Sequence, residues 1–176
     1  MPVEVRVDPA AEVEFSAFVA ERTHALFRTA YSLTGNQHAA EDLLQVALAK
    51  LVLYWSRVAT DPEAYARRII YREHISLWRR MWRRNELPTA DPEDRRVFEA
   101  DHSGPALDRV LLRETLLTLP PRQRAVIILR YLEDRSEQEV ADILGCTTGT
   151  VGSQASRALA KLRAALADDG RTGALR

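Results

Sequence analysis

Apolar residues recur every three or four positions along most of this chain. Phe15, Phe18, Val19, Leu26, Ala30 and Leu33 form one such stripe, which predicts an amphipathic helix ending near Gly35. After Gly35-Asn36 the period resumes at about His38 with Leu43, Leu44, Ala47, Leu48, Leu51, Val52 and Trp55. Acidic Glu41 and Asp42 fall in the first turn, where the helix dipole favours them. Asp61-Pro62 opens a third helix, an N-cap residue followed by the one residue that loses nothing at the first helical position. Its pattern runs to about Arg84, a length of roughly 33–35 Å at 1.5 Å per residue. No stretch alternates with period two and β-branched residues are sparse, so the pattern specifies an all-α protein.

The second half reads as four shorter helices. Leu107, Val110, Leu111 and Leu116 suggest the first of them, and Leu119-Pro120-Pro121 starts another that carries Val126, Ile127, Leu129 and Tyr131. Ser136-Glu137-Gln138-Glu139 has the spacing of a capping box, ahead of Val140, Ala141, Ile143 and Leu144. Gly145 stops that helix, and Thr147 or Thr148 caps a last one through Val151 to about Ala165. Small Ala141, turn-forming Gly145 and Val151 stand where two crossing helices need a close approach, a tight turn and a wedge, which is helix-turn-helix spacing. An ordinary helical hairpin is the alternative. The core of this half is expected from the leucines and isoleucines of 107–132 with Val140, Ile143, Leu144, Val151, Leu159 and Leu162.

Charge changes the picture only when resolved along the chain. The 176 residues hold 25 Lys and Arg against 25 Asp and Glu, a formal net charge of zero that argues against phosphate binding if spread evenly. It is not spread evenly. Residues 1–60 carry −2, 61–84 carry +4 from seven basic and three acidic residues, 85–107 carry −4, and 108–176 carry +2. The acidic stretch also holds Pro88, Pro92, Gly104 and Pro105 with little apolar period, and reads as a flexible linker between two small helical domains, each with a thin core. Cys146 stands alone, and it and the scattered His24, His38, His74 and His102 lack metal-ligand spacing, so neither a metal nor another cofactor is expected. The N-terminal residues lack the pattern of a signal peptide, and no apolar run approaches the ~20 residues of a membrane span, so a cytoplasmic protein is expected.

The basic third helix carries candidate chemistry. Arg67, Arg68, Arg72, Arg79, Arg80, Arg83 and Arg84 are interleaved with Trp78 and Trp82, four apart on one face. Guanidinium groups meet phosphates while unpaired bases stack on indoles, so the pattern suits single-stranded nucleic acid. A solvated charged face, a membrane surface or a partner's groove would use the same pattern. In the last helix Thr148, Thr150, Ser153, Gln154, Arg157 and Lys161 line one exposed side, where hydroxyls and amides can reach phosphates or base edges and the two cations can anchor to phosphate.

These segments together resemble a bacterial RNA polymerase sigma factor of the extracytoplasmic-function (ECF) type, in the sigma-70 family. The resemblance covers about residues 12–167. It rests on Arg28-Thr29-Ala30-Tyr31-Ser32-Leu33-Thr34-Gly35-Asn36, Ala40-Glu41-Asp42-Leu43-Leu44-Gln45, the Arg-rich helix, Leu119-Pro120-Pro121-Arg122-Gln123-Arg124, and Ser156-Arg157-Ala158-Leu159-Ala160-Lys161-Leu162-Arg163. It implies a region 2-like domain over 12–84, a linker over 85–106 and a region 4-like helix-turn-helix domain over 107–167. It further implies that Asp42, Leu43, Leu44, Gln45 and Leu48 grip the β′ clamp of core polymerase, with the β flap as a second contact. Arg67, Arg68, Arg72, His74, Ser76, Trp78, Arg79 and Arg80 would melt and read a −10 promoter element. Thr148, Thr150, Ser153, Gln154, Arg157 and Lys161 would read a −35 element, and the acidic linker would thread a basic RNA channel. An anti-sigma partner is a common further expectation in such a family.

Two positions depart from the family pattern. Arg72 stands where many relatives have asparagine, and Gly152 stands where Lys or Arg usually follows the valine equivalent to Val151. The competing reading is a stand-alone helix-turn-helix regulator, which would use the first 60 residues for dimerisation or ligand sensing rather than for polymerase. An enzyme is disfavoured by the lack of a nucleophile–base pair, a metal cluster or a Gly-rich phosphate loop. Near-neutral total charge further implies weak DNA affinity for the chain on its own.

Overall fold

The computed structural model describes residues 8–58, 60–84 and 106–168, and every regular element among them is helical. Helix α1 spans Pro9–Thr34, beginning ahead of the apolar stripe because the Asp8 carboxylate accepts from the Ala10 amide at 3.1 Å and Pro9 occupies the first helical position. Gly35 ends it at φ 68°, a backbone conformation that favours glycine, and a Cβ there would have to displace the Leu117 side chain. Helix α2, Gln37–Tyr54, starts immediately after, with the Asn36 side chain accepting from Ala39. A 3₁₀ turn at Trp55–Arg57 follows, its indole packed against Phe15 and Phe18 at ring separations of 5.1 and 5.3 Å. Helix α3 spans Pro62–Arg83 under the expected Asp61 cap, whose carboxylate accepts from Ala64 at 2.9 Å.

In the second half α4 spans Ala106–Leu117 and α5 spans Pro121–Ile127. The expected continuation of α5 through Tyr131 widens into a π-helical turn, Ile128–Leu132, from which Asp134 leaves with φ 51°. Helix α6, Glu137–Leu144, opens with the full capping box: Ser136 Oγ accepts from the Glu139 amide and the Glu139 carboxylate accepts from the Ser136 amide. Gly145 closes it at φ 65°, with the Cys146 amide reaching back to the Ala141 carbonyl. Thr147, rather than Thr148, caps α7, Thr148–Asp168, by accepting from the Thr150 amide at 3.2 Å. Ala141 and Val151 are buried at the crossing, as helix-turn-helix spacing requires.

The cores were expected to be separate, and they are not. Leu26, Leu43, Leu51, Ile70 and Tyr71 from α1–α3 form one continuous cluster with Val126, Leu129, Val140, Leu144 and Val151 from α5–α7. A smaller cluster of Leu116, Leu119, Ile127, Ala158 and Leu162 secures α4 and α7. Two halves too small to bury much apolar surface individually gain it by sharing one core. The acidic segment read as a linker, apart from Ala106 at the start of α4, lies outside the described residues, as do the first seven and last eight residues of the chain.

Candidate nucleic-acid interface

Helix α3 places its arginines in two environments. Arg79 and Arg80 near its C-terminal end are exposed, Trp78 directly before them is half-buried, and so is Ser76 about one turn earlier. The Trp82 side chain lies outside the described residues. The earlier arginines Arg67 and Arg72 hydrogen-bond protein groups, although Arg72 stays exposed. Arg67 bonds Glu63 at 3.1 Å, Thr29 Oγ1 at 2.8 Å and Glu133 Oε1 at 3.3 Å. Arg72 donates from Nε to the Ile143 carbonyl at 2.8 Å and from Nη2 to the Asp142 carbonyl at 2.9 Å. Arg68 is half-buried.

His74 corrects an expectation. It is 8% exposed and packed inside, so in this arrangement it presents nothing to a nucleic acid. Burial, reinforced by the nearby Arg124 cation, lowers its pKa to about 3, and its Nε2 has no hydrogen-bond partner. Neighbouring Tyr71 is fully buried and donates its hydroxyl to Glu133 Oε1 at 2.7 Å. Burial first and the Glu133 carboxylate second push that phenol well above its ordinary pKa, so it remains a donor throughout the physiological range.

Helix α7 offers a more open face. Thr148, Ser153, Arg157 and Lys161 are exposed, with Thr150 and Gln154 half-buried beside them. Thr150 and Ser153 already engage locally, Thr150 Oγ1 with Thr147 Oγ1 at 3.0 Å and Ser153 Oγ with the Thr150 carbonyl at 3.0 Å. A Cβ added at Gly152 would meet nothing within 4 Å, so the glycine is not there to relieve crowding. The capped N-terminus, hydroxyl and amide side chains and two cations one turn apart suit approach to a DNA groove and its phosphates.

On α2 the expected polymerase-facing residues divide by burial. Asp42 and Gln45 are exposed and Leu48 is half-buried, but Leu43 and Leu44 are 1% and 7% exposed and belong to the core. Leu43 and Leu44 stand four and three before Ala47, and eight and seven before Leu51, which puts them on the inward stripe. Sequence reasoning missed Val52, Leu53 and Tyr54, which continue the outward face with Leu53 73% exposed. Val52 had been counted in the inward stripe because a run of apolar residues does not say which of them the helix turns outward.

The sequence and the fold are similar to those of known proteins. The Sigma-70 region 2 family model matches residues 18–84, and the Sigma-70, region 4 model matches residues 109–162. The RNA polymerase sigma-E factor of Streptomyces antibioticus is 39% identical over 153 residues, covering 86% of this chain and 83% of that protein. The chain belongs to the sigma-70 family. A second relative, the ECF RNA polymerase sigma factor SigL of Mycobacterium tuberculosis, is 33% identical over 95% of this chain and 98% of its own. Among solved structures, the sigma factor RpoE of Bartonella quintana, crystallised in complex with the anti-sigma factor NepR, superposes with a TM-score of 0.64 at 26% identity, covering 87% of this chain and 96% of that one. The chain is thus a sigma factor, a transcription-initiation protein, and the stand-alone regulator finds no support. Among the described residues no helix is long and apolar enough to cross a membrane.

Three side chains with no site role assigned from sequence, Glu133, Arg113 and Arg124, tie the sigma region 2 and region 4 segments together. Glu133 accepts from Arg67 and Tyr71. Arg113 of α4 donates to the Gly35 carbonyl at 2.7 Å and the Tyr31 hydroxyl at 2.6 Å, with its guanidinium 4.5 Å from the Tyr31 ring centre. Buried Arg124 of α5 bonds the carbonyls of Leu116, Leu117 and Leu119 at 2.8–3.0 Å and also that of Leu33 on α1. Burial lowers its pKa to about 10, which leaves it charged at neutral pH. Arginine is the residue for this position because its planar fork satisfies several carbonyls at once.

Proposed function

We propose that this sigma factor directs core RNA polymerase to promoters through two DNA contacts and one polymerase contact divided between two segments, residues 12–84 and 107–167. The observation that carries the reading is the presence, in one short chain, of an Arg-rich helix with Trp78 among its cations and a capped helix-turn-helix whose second helix exposes Thr148, Ser153, Arg157 and Lys161. In the −35 contact α7 lies in the major groove. Thr148, Thr150, Ser153 and Gln154 approach base edges and backbone, while Arg157 and Lys161 hold phosphates. In the −10 contact Arg79 and Arg80 hold the separated strand, and Ser76 and Trp78 meet unstacked bases, offsetting the few kcal/mol that each unpaired base costs. Arg67 and Arg72 join them once freed from their protein partners, with half-buried Arg68 on the same helix, and His74 supports the helix from within.

Polymerase binding falls to the outer face of α2, where Asp42, Gln45 and Leu48 continue into Val52, Leu53 and Tyr54. The β′ clamp is the counterpart that the family resemblance indicates, with the β flap as a second contact for residues 107–167. The chain acts by binding rather than by catalysis, works in the cytoplasm where polymerase and promoters are, and needs no cofactor. By analogy with the relative crystallised on its anti-sigma factor, a protein inhibitor is a further partner.

In vitro transcription tests this reading. Purified chain with core polymerase should give specific initiation at a promoter found by genomic run-off mapping. Failure both to bind core enzyme and to direct initiation would overturn it. Arg79→Ala with Trp78→Ala should retain core binding and lose strand opening, read by permanganate reactivity of unpaired thymines.

A further inference from the structure

Cations on two different helices meet at one carboxylate beside the proposed path of the separated strand. Glu73 of α3 accepts from Lys50 Nζ of α2 at 2.6 Å through Oε1, and the Arg80 guanidinium stands 3.9 Å from its other oxygen. The Glu73 side chain is 16% exposed, against 46% for Lys50 and 50% for Arg80, so the carboxylate lies beneath and both cations reach outward over it. Along α3 the residues Glu73, Ser76 and Arg80 stand three and four apart, which puts them on one face with the half-buried serine between. Lys50 brings α2 onto that face across 23 positions of sequence.

Ion pairs made by exposed lysine and arginine add little to stability, so the fold alone does not account for this cluster. An anion at the surface does account for it. The two cations and the carboxylate sum to one net positive charge. Lys50 Nζ has two further protons to donate, and the Arg80 contact is loose enough for a nearer anion to replace it. Both side chains touch the same carboxylate, so one phosphate needs only a small shift of Arg80 to bridge them. Without Glu73 the two cations would repel each other, and fixing two long side chains would cost rotamer entropy at every binding event. We propose that Lys50 and Arg80 form one seat for a single backbone phosphate of the separated strand, with Glu73 beneath them as its positioning residue. The seat carries the strand path from α3 onto α2, and it rests on the reading of α3 as the strand contact. It fixes the register of the strand past Ser76 and Trp78, since phosphate contacts position what base contacts specify.

The test uses the full chain in complex with core polymerase, on a promoter fragment whose −10 segment is held unpaired. Each phosphate of the unpaired strand is replaced in turn by an uncharged methylphosphonate, and affinity is read by fluorescence anisotropy. Wild type should lose affinity severalfold at a position to which Lys50→Met and Arg80→Met are both indifferent, because the two residues serve the same phosphate. Each of these variants should also lower the salt slope by about 0.7, one single-strand phosphate contact. Glu73→Gln separates positioning from plain charge. Removing a negative charge strengthens DNA binding by electrostatics alone, whereas losing the positioning carboxylate weakens binding and removes the penalty at the same methylphosphonate. Core polymerase binding and helical circular dichroism of Lys50→Met and Glu73→Gln should match wild type. The seat is overturned if Lys50→Met keeps the wild-type profile, or if Lys50→Met and Arg80→Met silence different positions. It is equally overturned if Glu73→Gln binds DNA as tightly as wild type or more so, or if either variant loses helicity or core polymerase, which would assign the residue to the fold or to that partner. A wild-type profile flat at every position would instead sink the reading of α3, and the seat with it.

Discussion

His74 and Gly152 show how one side chain sets a measurable property. His74 is buried neutral with a pKa near 3, against 6.5 in the unfolded chain, where it takes up a proton freely. The unfolded state therefore binds more protons between those values, so His74 makes stability fall as pH drops below about 6.5, by at most about 1.4 kcal/mol per pH unit. Arg124 of α5 is the cation that adds to this effect, and it stays charged across the same range. Because Nε2 has no partner to lose, His74→Leu should flatten the dependence of melting temperature on pH between 4 and 6.5, as followed by circular dichroism. Gly152 has open space around it on α7. Replacing it with Lys should stabilise the helix by roughly 0.5–1 kcal/mol and steepen the salt dependence of promoter binding by about one phosphate contact. Equilibrium unfolding and a salt titration of DNA binding check the two effects independently.

At the scale of single elements, the boundaries were legible wherever a side chain closes a hydrogen bond to nearby backbone. Asp8, Asn36, Asp61, Thr147 and the Ser136–Glu139 box each do so, and Gly35 and Gly145 end helices at positive φ. These are local interactions, set by residues no more than four apart, so sequence carries them. Ser136→Ala should cost about 1 kcal/mol, within a range of roughly 0.5–2, because it leaves a first-turn amide without its acceptor. The Glu139 carboxyl, held below its ordinary pKa by the Ser136 amide and hydroxyl, loses its half of the box as pH falls through its titration. The Ser136→Ala deficit seen in chemical denaturation should therefore shrink at low pH. The π-helical turn at Ile128–Leu132 was not legible. An apolar run such as Ile127-Ile128-Leu129 fits an α-turn equally well, and only the packing around it selects the wider one.

Over the whole molecule the consequential feature is the core shared by α1–α3 and α5–α7. All three tryptophans, Trp55, Trp78 and Trp82, lie in the first half of the chain, whereas circular dichroism reports helices in both. With a shared core, thermal unfolding followed by tryptophan fluorescence and by circular dichroism should give one coincident transition. Separate midpoints would mean that the halves melt independently. Arg124 spans the same junction, tying the ends of α4 and α1. Arg124→Met should lower stability by about 2–4 kcal/mol in urea titration, since it strips charged donors from several largely dehydrated carbonyls.

The sequence by itself determined the helices, their caps, the helix-turn-helix and the family, because each rests on local periodicity or on short motifs in a fixed order. It also located the charge, and with it the −10 and −35 faces proposed for α3 and α7. Tertiary structure alone decided which members of those motifs are available. Leu43 and Leu44 went to the core, His74 went inside, and Arg67 and Arg72 were turned onto Glu133 and the α6 carbonyls. The partners in those bonds stand 66 and 71 positions apart. No helical period spans such a distance, so the packing of one half against the other has to bring them together.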